Sequence, residues 1–180
     1  GRDETGAPTI DAPRCISYLT IELRGVIPRE LRPLIGNRVY GCDICQEVCP
    51  FTLKFSEVTG EPAYSPRTEL DGPPLIELGE RLLSLSGKGF LREFAASPVT
   101  RAGRKGMLRN VCVALGNWGS EAAIPTLASA LADAAPLVRG HAAWALGQVG
   151  SSAALEVLSS RFEEESDLFV LEEIGLALGK

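Results

Sequence analysis

Residues 41–52 read GCDICQEVCPFT, placing Cys42, Cys45 and Cys49 at C-x2-C-x3-C with Pro50 directly after the last of them. This is the second half of the bacterial ferredoxin run, in which the final cysteine is followed by proline. The spacing suits the chemistry, because a cubane cluster needs several thiolates converging from one side. A tight loop through Asp43 and Ile44 turns two sulfurs toward a common centre, and a helical turn through Gln46, Glu47 and Val48 carries Cys49 onward. Pro50, which lacks an amide donor, is expected to end that turn.

The full ferredoxin pattern would place one more cysteine just before Cys42, where Val39 and Tyr40 stand. The nearest candidate upstream is Cys15. In two-cluster ferredoxins the cysteine before the proline serves the other cluster, so the expected division is Cys15, Cys42 and Cys45 on one cluster and Cys49 on a second. Neither set is complete, and the remaining cysteine, Cys112, lies far away in an apolar helical pattern where packing explains it. The missing ligands are therefore expected in sequence beyond these 180 residues, and the chain reads as a fragment. Zinc is the alternative, but structural zinc usually pairs two C-x2-C halves, which the C-x3-C-P half does not supply.

Bulk properties narrow the rest. Residues 1–12 carry no signal core and no transit pattern, and ferredoxin-spaced cysteines without a secretory signal point to a reducing cytoplasm rather than to disulfides. No run of about 18 apolar residues is present, so no membrane span is expected. A net charge of −5 gives no global attraction to nucleic acid, and any such contact must come from a local patch.

From Arg14 the stretch RCISYLTIELRG spaces Ile16, Leu19 and Leu23 as a helix ended by Gly25, which puts Cys15 at a helix start. IPRELRPLIGNRVYG predicts a short helix opened by Pro28 and closed by Gly36. Residues 51–74 hold Pro62, Pro66, Pro73 and Pro74 and little periodicity, and read as an irregular linker. Beyond Pro74 the pattern is wholly helical, with segments 75–85 and 89–96 followed by a Ser97 cap and Pro98. An internal repeat then appears: a shift of 31 residues lays ALGNWGSEAA (114–123) on ALGQVGSSAA (145–154), nine of sixteen positions from Ala114 to Ser129 are identical, and a third ALG falls at 177–179. That period belongs to α-hairpin repeats whose apolar faces are buried only by stacking. Gly116, Gly119, Gly147 and Gly150 are read as turn markers, Ser120 and Ser151 as caps of the second helices, and the whole of 75–180 as a short right-handed stack.

Between Ser97 and Ser120 there is no acidic residue, whereas Arg101, Arg104, Lys105 and Arg109 recur. On one continuous helix 101, 105 and 109 form a stripe with 104 beside it, facing away from Leu108, Val111, Cys112 and Leu115. Local cations on an acidic chain are what a phosphate backbone contact requires, though an ordinary solvated face has the same pattern. His141 is read as a surface or satisfied residue, and Trp118 and Trp144 as packing between repeats.

Taken together, RCISYLTIE, IPRELRPLIGNRVYGCDICQEVCPF and SPVTRAGRKGMLRNVCVALGNWG resemble the C-terminal half of the epoxyqueuosine reductase family over about residues 11–150. The resemblance implies a mostly α fold: a partial ferredoxin-like 4Fe-4S module over 1–50, the linker, and a HEAT-like repeat domain over 75–180. It implies an oxidoreductase that converts epoxyqueuosine to queuosine in the tRNA anticodon loop, with two 4Fe-4S clusters relaying electrons to a cobalamin. Carried over by position, Cys15, Cys42 and Cys45 serve one cluster and Cys49 the other, while Arg101, Arg104, Lys105 and Arg109 contact tRNA. An external electron donor, a monomeric state and no membrane complete the expectation. The family's cobalamin domain, catalytic acid and first cysteine run have no counterpart here, so no catalytic residue is assigned and this portion alone is expected to be inactive. Two other readings remain: a ferredoxin-type electron carrier whose repeats bind a protein partner, and a structural scaffold with zinc or idle cysteines.

Overall fold

In the computed structural model, residues 1, 2, 4–7, 9–64 and 74–179 are described, and every element among them is a helix or a single helical turn. Turns at Ala12–Arg14 and Tyr18–Glu22 come first, and a turn at Arg29–Leu31 runs into α1 (Arg32–Ile35), closed by Gly36 as its sequence implies. The stretch read as a helix from Arg14 is helical only from Ile16, and it widens to π geometry over Tyr18–Glu22. The cysteine motif holds α2 (Ile44–Glu47) and α3 (Pro50–Phe55).

Pro50 thus opens a helix rather than ending one. Its fixed φ and missing amide suit the first helical position, where the N–H would be unpaired in any case. α3 extends into the stretch read as linker, and Pro66 and Pro73 of that stretch lie outside the described residues. The helical half comprises α4 (Leu75–Ser84), α5 (Gly87–Glu93), a turn at Pro98–Arg101, α6 (Gly103–Trp118), α7 (Ile124–Leu131), α8 (Pro136–Val149), α9 (Ser152–Glu164) and α10 (Leu168–Ala177).

The 31-residue period is the spacing of hairpins α6–α7 and α8–α9, with α10 taking the place of α6 and α8 in a third unit. α6 packs on α8 and α8 on α10, while α4 closes the other side of α6. Gly119 and Gly150 end α6 and α8 with φ of +67° and +64°, the left-handed cap that glycine accepts without strain. Gly116 and Gly147 are not turn markers. A Cβ on Gly116 would lie 2.8 Å from Ala145 Cα, and one on Gly147 would lie 2.7 Å from Ala177 Cβ. The glycine of each ALG element therefore seats the alanine of the next, which is the physical content of the repeat. Ser120 caps the turn leading into α7 and Ser151 caps α9.

A second periodic feature crosses the stack. Asn110, His141 and Glu173 each stand four residues before the alanine of an ALG element, and all three are buried. Each binds the chain's N-terminal part. Asn110 Nδ2 donates to the carbonyls of Thr20 (2.7 Å) and Val39 (2.8 Å). His141 Nε2 accepts the Ile27 amide at 3.2 Å, so its proton sits on Nδ1, which donates to Leu137 O at 2.7 Å. Glu173 takes a bidentate pair from Arg32, whose side chain is fully buried, at 2.6 and 3.0 Å. Residues 16–39 thus lie as a strap over α6, α8 and α10, and Asn110, His141 and Glu173 each find the partners that buried polar groups require.

Burial, with the nearby charges of Arg32 and Arg109, holds the His141 pKa well below its ordinary value. The folded state keeps the ring neutral while the unfolded chain takes up a proton below about pH 6.5, so this contribution is intact above that pH and lost as pH falls. Stability to denaturant should drop by about 1 kcal/mol between pH 7 and pH 5.5 on this account. His141→Asn should flatten the drop, and an unchanged slope in that variant would show that His141 is not the group responsible.

Candidate functional site

Cys15 follows the turn Ala12–Arg14 and is exposed, as is Cys45, while Cys42 and Cys49 are partly buried. Two hydrogen bonds join the backbone after Cys15 to the backbone at Cys42: Ser17 Oγ donates to Cys42 O at 3.2 Å, and the Gly41 amide donates to Thr20 Oγ1 at 3.0 Å. Thr20 Oγ1 in turn donates to Ile16 O at 2.7 Å. Gly41 has φ of +76°, a conformation that makes glycine the natural residue at this corner. Asn110 adds a third tie by bridging Thr20 O and Val39 O, so a repeat helix sets the register between the two cysteine-bearing stretches.

Cys49 caps α3. The amide and hydroxyl of Thr52 and the amide of Phe51 favour its thiolate and lower its pKa, as donors at a helix start do for cysteine. Among the described residues, no three Cys, His, Asp or Glu side chains form a group that could hold a metal ion. The structure therefore links the backbones at Cys15 and Cys42 without gathering Cys15, Cys42 and Cys45 into one set. The donors fit an iron-sulfur cluster in kind, with ferredoxin spacing and one thiol biased to the thiolate, but fall short in number. Large apolar side chains are exposed through the motif and beyond it, including Val48, Phe51, Leu53, Phe55 and Val58.

The four cations separate into two groups. Arg101 and Lys105 are exposed. Arg101 pairs with Glu22 and its carbonyl accepts from Arg24, while Lys105 forms no ion pair among the described residues. Arg104 is largely covered: it pairs with Asp133 at 2.7 Å and donates to Leu85 O. Arg109 corrects the outward stripe, because its side chain is fully buried. Its guanidinium donates to the carbonyls of Leu19, Leu23 and Gly25 at 2.7–2.8 Å and to Asn110 Oδ1. Burial, with Arg24 nearby, pushes its pKa down to about 10. Arg101 leaves the stripe because Pro98–Arg101 is a separate tight turn and Gly103, the first residue of α6, has φ of +68°. Lys105 and Arg109 share the unbroken α6 and differ because residues 19–25 cover Arg109 and present their carbonyls to it. A long cation among Leu108, Val111 and Cys112 was the available sign that it answers buried carbonyls rather than water.

Cys112 is buried, and burial pushes its thiol up to about 12, as expected of packing. Trp144 is also buried, with the Arg32 guanidinium 5.5 Å from its ring centroid. Trp118, expected between repeats, is 53% exposed, since it falls at the last residue of α6 beside the cap.

Residues 100–179 match the HEAT repeats family, and residues 3–52 match a 4Fe-4S double cluster binding domain. The second match supports iron-sulfur chemistry over zinc at these cysteines. Over 140 residues the chain is 48% identical to the epoxyqueuosine reductase of Escherichia coli (strain K12), covering 78% of this chain and 36% of that protein. The corresponding enzyme of Pseudomonas aeruginosa is 47% identical over 150 residues, 82% of this chain and 40% of its own length. A crystal structure of epoxyqueuosine reductase with an epoxyqueuosine-modified tRNA-Tyr stem loop superposes with a TM-score of 0.83 at 35% identity, over 95% of this chain and 44% of that one. The chain thus spans well under half the length of the relatives it matches.

Proposed function

Because this chain is homologous to part of the epoxyqueuosine reductases, we propose that it forms the iron-sulfur and RNA-docking portion of an enzyme that reduces epoxyqueuosine to queuosine in tRNA. The observation that carries the reading is the joining of a ferredoxin-type cysteine run to HEAT-like repeats within one chain, in a fold that superposes on the tRNA-bound relative. Cys15, Cys42 and Cys45 would hold one 4Fe-4S cluster and Cys49 would contribute to a second, each completed by thiolates from outside these residues. When bound, such clusters supply one-electron transfer. A cobalamin, implied by the family, would be held mainly outside this chain, and the electrons would come from an external donor in a reducing cytoplasm.

The chain's own contribution is positional. Asn110 and Arg109 fix residues 19–25 and Val39, and Ser17 and Thr20 fix the Cys42 corner, so the thiols at Cys15 and Cys42 are presented from one braced backbone. The exposed apolar side chains from Val48 to Val58 provide a surface for the remainder of the enzyme. No helix of the described residues is long and apolar enough to cross a membrane.

Docking of RNA falls to Arg101 and Lys105, with Arg104 held beneath them and Arg109 withdrawn. In the full-length enzyme, Arg101→Glu with Lys105→Glu should weaken anticodon stem-loop binding by about tenfold or more at moderate salt and make its salt dependence shallower, since fewer counterions are released. Arg109→Lys should leave the salt slope unchanged. Equal affinity and slope in the double reversal would remove this face from the RNA contact and favour the reading in which the repeats bind a protein.

A further inference from the structure

Beside the two exposed cations lies a basin of about 460 Å³. Most of its walls come from three separate parts of the fold: Leu23 and Arg24 after the π turn, Gly87, Phe90 and Leu91 of α5, and the 102–106 segment at the start of α6. Leu137 of α8 also lines it. Its charged lining residues are Arg24, Arg104 and Lys105, and no carboxylate is among them, in a chain whose net charge is −5. The cations are not equivalent. Arg104 is spent on Asp133 and Leu85 O. Arg24 is exposed, with one guanidinium nitrogen on Arg101 O, and Lys105 is free of ion pairs among the described residues. The apolar walls are correspondingly unpartnered on their open side, with Leu91 56% exposed.

An apolar basin with cations on one side matches a ligand that is apolar at one end and anionic at the other, as a nucleotide is with its base and phosphate. We propose that this basin receives one nucleotide of the bound RNA, its base against Leu23, Leu91 and Leu137 and its phosphate at Lys105 and Arg24. Gly103 and Gly106 on the lining leave room for the sugar-phosphate strand, because neither presents a side chain. A base taken up in this way is read by shape and apolar contact rather than by hydrogen bonding, so the subsite tolerates more than one base. This inference rests on the RNA-docking reading above, and it adds to that reading a contact that does not depend on charge.

That difference makes the two separable. In full-length enzyme, with the anticodon stem loop as probe and a salt series as the measurement, Leu91→Ala should weaken binding by about fivefold, the worth of part of a buried leucine surface. The slope of affinity against salt should not change. Leu91→Met, which keeps the apolar volume, should bind as the parent does, and Leu176→Ala, on α10 and similarly exposed at 50%, serves as the control for a general surface effect. Lys105→Gln should weaken binding and reduce the slope by about one counterion. If Leu91→Ala binds like the parent, or changes the slope, while the Arg101 and Lys105 reversals still weaken binding, the basin is not a nucleotide subsite and the docking reading stands. If none of these substitutions alters binding, both are overturned.

Discussion

Replacing Arg109 by alanine should lower the free energy of unfolding by about 4 kcal/mol or more. The guanidinium satisfies the carbonyls of Leu19, Leu23 and Gly25, and a buried acceptor left without a partner costs about 1–3 kcal/mol. The vacated side-chain volume adds a cavity penalty. Arg109→Lys should recover only part of the loss, since one ammonium cannot span acceptors that a planar fork reaches together. Chemical denaturation of the full-length protein reads the first quantity. Iron and sulfide content per chain supplies a second, because residues 19–25 lie between the two cysteine-bearing stretches and should lose their register. A loss below about 1 kcal/mol with normal iron content would show that the three carbonyls are satisfied without Arg109.

Glu173→Ala should cost about 3–5 kcal/mol, the usual penalty for leaving a buried charge without its partner. Arg32 is fully buried and would keep only Ile27 O at 2.9 Å and the Trp144 ring. Arg29 also reaches Glu173 but is 37% exposed at its side chain, so water compensates most of its loss. The decisive comparison is the pair Arg32→Met with Glu173→Leu. Removing both charges together should restore most of the stability lost by Glu173→Ala, as apolar replacement of buried ion pairs often does. If the double variant is as unstable as Glu173→Ala, the defect lies in packing of α10 on α8 rather than in a stranded charge.

Several parts of this structure could be read from residues in isolation because their cause is local. The 31-residue period follows from α-hairpins that must bury one face, and the Ser and Gly caps follow from unpaired amides and carbonyls at helix ends. The roles of Gly116 and Gly147 were not legible, because a helical glycine at a close approach looks the same in one sequence as a glycine at a turn. Which cations face solvent also escaped the sequence. The 101/105/109 stripe assumed one unbroken helix open to water, whereas Arg101 lies on a separate turn and Arg109, one turn along α6 from the exposed Lys105, is covered by residues 19–25. The cysteine motif announced its chemistry through spacing alone, yet the bracing of that motif by Asn110 depends on contacts 71 to 90 residues apart. Nothing within either stretch encodes them.

Arrays of α-hairpins ordinarily come apart from their ends, since each unit touches only its neighbours and terminal units can fray independently. Here Asn110, His141 and Glu173 fasten three successive units to one continuous length of chain. Loosening α10 therefore releases Arg32 and disturbs the same strap that ties the Cys42 corner to residues 17–20, so melting of the last unit and loss of order at the cysteine-bearing end should occur at one temperature, as a single cooperative event.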